Sequence, residues 1–134
     1  MAVSGCPRNC AECSIKDVGV VGVEAGWEIY VGGNGGLKLR GADLLSVVRT
    51  EEEALSWIGA FLQYYRENGV YGERTAQFIE RVGMDQVKRD LSNEKTREAL
   101  GQRIQAALSV LEDPWEKMLT STNQKEFQEL TPQH

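Results

Sequence analysis

The sequence predicts a mixed α/β chain, with a small, mainly antiparallel sheet at its N-terminal end followed by several helices covering one side. Three observations carry that expectation. The 14 glycines are unevenly spread and concentrate in residues 5–41. The same region holds runs rich in β-branched and aromatic residues. From residue 50 onward the chain is charged and helix-friendly, with apolar residues at helical spacing.

Residues 2–4 (AVS) read as a short strand running into Gly5, Cys6 and Pro7. A strand that starts at the first residue reads as the tail of a longer one and predicts further protein upstream. Residues 18–25 (VGVVGVEA) and 27–31 (WEIYV) are two strands, antiparallel because only Gly26 lies between the runs. A glycine-rich loop over residues 32–36 follows, and residues 44–49 (LLSVVR) give a further strand. Thr50 with Glu53 forms a capping box, with acidic residues in the first turn where the helix dipole favours them. Leu55, Ile58, Leu62 and Tyr65 mark the apolar stripe of that helix, Phe61 widens it, and Gly69 stops it. A shorter helix covers residues 75–82 and ends at Gly83, and Asp85 caps another through Leu91. Ser92 or Asn93 opens a longer helix with a stripe of Leu100, Ile104, Ala107, Leu108 and Leu111, ended by Asp113, Pro114 and Trp115. Trp115 is expected to pin the C-terminal segment against the helices. Residues 1–119 form the folded unit, and residues 120–134 read as a polar, mobile tail.

Composition narrows the function classes. The chain has 134 residues, enough for one domain with a core, and its 41% hydrophobic and 26% charged shares are ordinary globular values. A formal charge of −5 gives no electrostatic reason to expect a nucleic-acid partner. No apolar run approaches the roughly 18 residues of a membrane span. The N-terminus lacks the features of a secretory signal, which makes the cytoplasm the expected compartment.

The three cysteines, Cys6, Cys10 and Cys13, crowd into one short segment. An odd number so close together makes a poor disulfide framework and points to metal or redox chemistry, against a plain reading as chance thiols in a loop. A four-iron cluster needs four ligands, usually thiolates, so this chain offers too few for the usual all-cysteine site. Zinc is the obvious rival, but no second cysteine pair exists and the sole histidine is His134. The spacing C-x3-C-x2-C is also that of radical enzymes that cleave S-adenosylmethionine. Glu12 stands where those enzymes usually carry an aromatic residue, and their partial barrel exceeds this length.

The flanking residues carry a more specific resemblance. Residues 5–12 (GCPRNCAE), 16–24 (KDVGVVGVE) and 27–36 (WEIYVGGNGG) resemble the second cysteine motif of the sirohaem-dependent nitrite and sulfite reductases. Residues 40–43 (RGAD), 50–55 (TEEEAL), 58–65 (IGAFLQYY), 73–75 (ERT), 78–83 (FIERVG) and 113–115 (DPW) are similar to the C-terminal end of that family, in the same order. The likeness is strongest to the large subunits of the NAD(P)H-dependent nitrite reductases and covers residues 1–119.

The resemblance implies that the chain is the C-terminal part of a haemoprotein-like domain that reduces nitrite to ammonium, or sulfite, at a sirohaem coupled to a 4Fe-4S cluster. In that family two cysteine pairs hold the cluster. The second pair corresponds to Cys6 and Cys10, and the residue matching Cys10 also bridges the cluster to the sirohaem iron. Arg8 and Asn9 are then expected to lie against the sirohaem, Arg8 with its forked donors on a carboxylate. The glycine-rich loop is expected to approach the cofactor, with Lys38 and Arg40 facing the macrocycle's carboxylates; solvated residues on a loop edge are the plain alternative for both. Cys13 departs from the family pattern and reads as a spare thiol. The first cysteine pair, the substrate-binding basic residues, and the FAD and NAD(P)H regions are expected upstream. Partners implied are the upstream half of the reductase and a small nitrite reductase subunit. The chain alone is expected to be inactive, without bound cofactor, and prone to self-association; the alternatives are an iron–sulfur electron-transfer or interaction module shared between two copies, and a structural remnant whose thiols bind nothing.

Overall fold

The computed structural model describes residues 1–121. Its sheet has four strands in the order β1 (Ala2–Ser4), β2 (Val18–Val23), β3 (Gly26–Val31) and β4 (Asp43–Val48). β2–β3 and β3–β4 are antiparallel, as expected, with Val18 opposite Val31 and Val20 opposite Ile29. β1 joins β2 in parallel, pairing Ala2 with Gly19 and Ser4 with Val21. A parallel pair cannot be closed by a tight turn and needs a crossover of about a dozen residues. Here that crossover is the cysteine-bearing segment, which includes a 3-10 turn over Cys13–Ile15.

Alternation sets most of the strand residues that enter the core: Val18, Val20, Ile29 and Val31 are buried on one face, and Val48 follows from its register. Leu45 joins them because the β3–β4 register shifts between Ile29 and Tyr30, a bulge that breaks the alternation along β4. Against that face lies α1 (Glu51–Asn68), whose start is fixed by a reciprocal cap: Glu53 N donates to Thr50 Oγ1 at 3.2 Å and Thr50 N to Glu53 Oε2 at 3.3 Å. Ala54, Ile58 and Phe61 form its inner stripe. Leu55, assigned to that stripe by spacing, is instead 68% exposed, because the face turned to the sheet is centred on the smaller Ala54.

α2 (Thr75–Val82) buries Phe78 and Ile79, and Tyr64 and Tyr65 pack edge-on to Phe78 at 5.9 and 5.3 Å. α3 (Met84–Ser92) starts one residue before Asp85, with Gly83 as its cap. Asp85 therefore sits within the first turn, where its charge suits the helix dipole, and does not cap the helix. α4 (Glu94–Ser109) is capped by Asn93, whose Oδ1 accepts from Thr96 N at 3.3 Å, and Arg97 stacks on Trp57 at 4.5 Å. Of the expected stripe on α4, only Leu100 is buried, while Leu108 and Leu111 are exposed. The helix packs on α1 near its start and then runs past the core. α5 (Pro114–Ser121) follows, so Pro114 opens a helix as well as ending the previous stretch. Trp115 is 68% exposed, so it is not packed down against the helices as expected. The expected tail begins inside α5, and its remainder, residues 122–134, lies outside the described residues.

Candidate functional site

Residues 5–16 leave β1 at one end of the sheet and return to β2 at the other. The departure is fixed by buried Ser4, whose Oγ donates to the Cys6 carbonyl at 2.9 Å. Cys6, Pro7, Arg8, Asn9 and Cys10 are all exposed. Cys6 borders a crevice of about 560 Å³ lined by Gly5, Pro7, Gly22, Glu24 and Trp27. The return is fixed by Cys13, which is fully buried and whose Sγ donates to the Val20 carbonyl at 3.4 Å. The three thiols therefore divide into two that face solvent and one locked in the core.

The polar groups of the loop separate in the same way. Arg8 is exposed and has no hydrogen-bond or ion-pair partner among the described residues. Asn9 adopts a left-handed conformation with φ 58°. Both ends of its side chain meet Ser14: Nδ2 donates to Oγ at 2.8 Å and Oδ1 accepts from N at 3.1 Å. Ser14 in turn accepts from Ala42 N at 2.7 Å, joining the cysteine loop to the loop before β4.

That second loop, residues 32–42, is closed by a bridge in which Asn34 and Arg40 exchange backbone hydrogen bonds at 2.9 Å. Its glycines answer to neighbours within the chain. Gly32 has φ +74°, and a Cβ there would stand 2.6 Å from Ile79 Cδ1. A Cβ on Gly33 would stand 2.7 Å from the backbone of Ile15 and Lys16. The two loops are thus pressed together, with Gly33 N donating to Lys16 O at 2.9 Å and Gly32 N to Asp17 O at 3.0 Å. Arg40 is mostly enclosed. Its Nη1 donates to Gly32 O at 2.8 Å and its Nη2 meets Asp43 Oδ2 at 2.7 Å. Lys38 stands out on the loop tip, 80% exposed, with Glu80 at 3.3 Å. Of the two basic residues singled out in sequence, Arg40 braces the loop and Lys38 is the accessible one.

Asp17, to which the sequence pattern assigns no role, ties the site to the helices. Its Oδ1 accepts from Thr75 Oγ1 at 2.6 Å and its Oδ2 meets Arg74 Nη2 at 2.7 Å. Burial pushes the Asp17 carboxyl up, but the hydrogen bonds from Thr75 and Arg74 outweigh it, so the group stays below its ordinary 3.8. Thr75 is buried, so this tie reaches into the core.

The donor set fits an iron–sulfur cluster as half a ligand set. Two exposed thiols share one braced loop, the third is held inside, and among the described residues no group of three or more His, Cys, Asp or Glu side chains gathers to hold a metal. A second segment must complete any such site.

Comparison with known proteins bears directly on that half-site. The family described as nitrite and sulphite reductase 4Fe-4S domain matches residues 1–99. The chain belongs to this family. It is similar to the NAD(P)H nitrite reductase of Bacillus subtilis (strain 168), with 56% identity over 119 residues covering 89% of this chain and 15% of that protein. The NADH nitrite reductase large subunit of Escherichia coli (strain K12) is 39% identical over 95 residues, covering 69% of this chain and 11% of that one. An assimilatory-type sulfite reductase of Nitratidesulfovibrio vulgaris is 37% identical over 86 residues, covering 64% and 39% respectively. The chain therefore spans only a small part of the length of the nitrite reductases it matches. This nitrite and sulphite reductase domain has no described helix long and apolar enough to cross a membrane.

Proposed function

We propose that the chain is the part of an assimilatory, NAD(P)H-dependent nitrite reductase that supplies two of the four thiolate ligands of its cluster. The observation that carries this reading is the 56% identity to the Bacillus subtilis NAD(P)H nitrite reductase across 89% of the chain, with Cys6 and Cys10 the two thiols left outside the core. Nitrite is favoured over sulfite because the sulfite reductase relative is more distant, at 37% identity.

Cys6 and Cys10 would hold the cluster from this side, and Cys10 would also join it to the sirohaem. Arg8, unpaired and exposed, is the residue suited to clamp a carboxylate of the macrocycle. Lys38 is a second, more mobile cation for the same purpose. Asn9 and Arg40 serve the same face through the loops that they brace. A sirohaem joined to a cluster supplies the electron storage and the open metal position that six-electron reduction of nitrite to ammonium requires. FAD and NAD(P)H would bind to other parts of the larger protein. The partners would be that protein's preceding segment and a small nitrite reductase subunit, in the cytoplasm.

Iron and acid-labile sulfide analysis with a visible spectrum, on anaerobically prepared protein, tests the reading. The isolated chain is expected to carry no cluster. A longer polypeptide containing the preceding segment is expected to carry cluster and sirohaem and to oxidise NAD(P)H in the presence of nitrite. Cys10→Ser in that polypeptide is expected to abolish the activity. Stoichiometric iron in the isolated chain, lost on Cys6→Ser, would replace this reading with a cluster shared between two copies.

A further inference from the structure

We propose that Asn9 is a positioning residue for Cys10, acting through Ser14. The inference rests on the reading of Cys6 and Cys10 as a ligand pair. Sequence resemblance sets Asn9 against the sirohaem, and in the fold its side-chain amide is held by Ser14 of the same loop. Nδ2 donates to Ser14 Oγ at 2.8 Å and Oδ1 accepts from Ser14 N at 3.1 Å, so both polar ends of the side chain are engaged within the loop. Its carbonyl accepts from Glu12 N at 2.9 Å. Those three bonds close a small ring over Cys10 and Ala11.

The ring is attached to rigid structure. Ser14 belongs to the 3-10 turn that also holds the fully buried Cys13, and its carbonyl accepts from Ala42 N at 2.7 Å. Cys10, one residue from Asn9, is thereby anchored through its neighbour while its own thiol stays exposed. The Cys6 end has a separate anchor, the Ser4 hydroxyl on its carbonyl at 2.9 Å. Each thiolate of the pair therefore has its own backbone fastening, and the distance between them depends on both. Asn suits this place because it tolerates a positive φ, here 58°, and carries both a donor and an acceptor for Ser14.

Cobalt(II) is the probe, titrated anaerobically into the 134-residue chain and followed by the thiolate-to-cobalt charge-transfer absorbance. The parent chain is expected to develop the band, and Cys10→Ser to lose half or more of its intensity per cobalt. Asn9→Gly keeps access to the left-handed conformation but removes the clasp. It is expected to weaken cobalt binding roughly five- to tenfold, the scale of one or two lost hydrogen bonds. Asn9→Asp, which can still accept from Ser14 N and Oγ, is expected to restore binding to within about twofold of the parent. Protection of Cys13 from N-ethylmaleimide checks that each variant is folded. Where Asn9→Gly loses that protection, Ser14→Ala takes its place, with a smaller but measurable weakening expected.

Parent-like binding by a folded Asn9→Gly, or by Ser14→Ala in its stead, would overturn the positioning role and leave the ligand pair standing. A band that fails to form in the parent, or that survives intact in Cys10→Ser, would overturn the ligand-pair reading and this inference with it.

Discussion

Asp17, at the site, and Glu73, between α1 and α2, show how much support comes from single carboxylates. Replacing Asp17 with Ala leaves buried Thr75 without its acceptor and Arg74 without its counter-ion. Half-exposure of the carboxylate limits the loss, and a drop of about 1–2 kcal/mol in chemical denaturation is expected. Glu73 receives both donors of Arg81, at 2.8 Å each, together with the Val70 amide at 3.0 Å. The Arg81 guanidinium and then that amide hold its carboxyl well below the ordinary 4.5, at about 2. A carboxyl depressed by folding stabilises fully above its unfolded value, and the stabilisation disappears as pH falls toward its folded value. Thermal melts should therefore lose Tm between about pH 4.5 and 2, and Glu73→Gln should flatten that part of the profile. An unchanged slope would place the acid sensitivity elsewhere. Thiol accessibility gives a direct check on the cysteine loop. Mass spectrometry after N-ethylmaleimide is expected to find Cys6 and Cys10 modified in the native chain and Cys13 only after unfolding, as their exposures require. The distinct character of Cys13 was legible in part, since the family motif has no ligand there. Asn9's engagement with Ser14 was not legible, because its left-handed backbone and a partner five residues away leave no periodic trace.

At the scale of elements, strand and helix identities followed from pattern because each pattern had one physical solution. Thr50 and Glu53 satisfy each other's neighbouring amides and leave α1 little choice of start. Thr50→Ala should cost about 1 kcal/mol and lower Tm by a few degrees without altering the far-UV spectrum. Spacing failed where it had to choose between adjacent residues or predict a neighbour. Leu55 and Ala54 occupy consecutive helical positions, and only the packed sheet decides that Ala54 turns inward. The apolar stripe continues with good periodicity to the end of α4 and past it, yet Leu108 and Leu111 meet solvent. The resemblance makes Gly32 and Gly33 part of a loop that approaches a cofactor. The structure gives their missing side chains a nearer cause in Ile79 and in the Ile15–Lys16 backbone. Sequence spacing does not reveal contacts between loops that far apart in the chain.

Across the whole molecule, one core under one sheet face holds the arrangement together. Phe61, Phe78, Ile29 and Ile79 are its largest fully enclosed side chains. Phe78→Ala removes the ring that Tyr64 and Tyr65 both touch, and a loss of about 3–5 kcal/mol is expected. The margins of that core are less complete. Met1, Val3 and Leu55 stand exposed at the β1 edge, as do Leu108 in the last turn of α4 and Val110, Leu111 and Trp115 after it. Apolar surface on this scale belongs to a chain that functions against other protein, in keeping with relatives that are several times longer.

The parallel pairing of β1 with β2 also sets an order of events during folding. β2 and β3 are joined by a two-residue turn between Val23 and Gly26, so their ladder needs only neighbouring residues. β1 can add to it only after the whole cysteine segment has folded back, and such non-local closure comes late. During that interval Cys13 is as open to oxidants as Cys6 and Cys10. Pulsed alkylation during refolding would time its disappearance from solvent, and with it the moment at which three equivalent thiols become two outside and one inside.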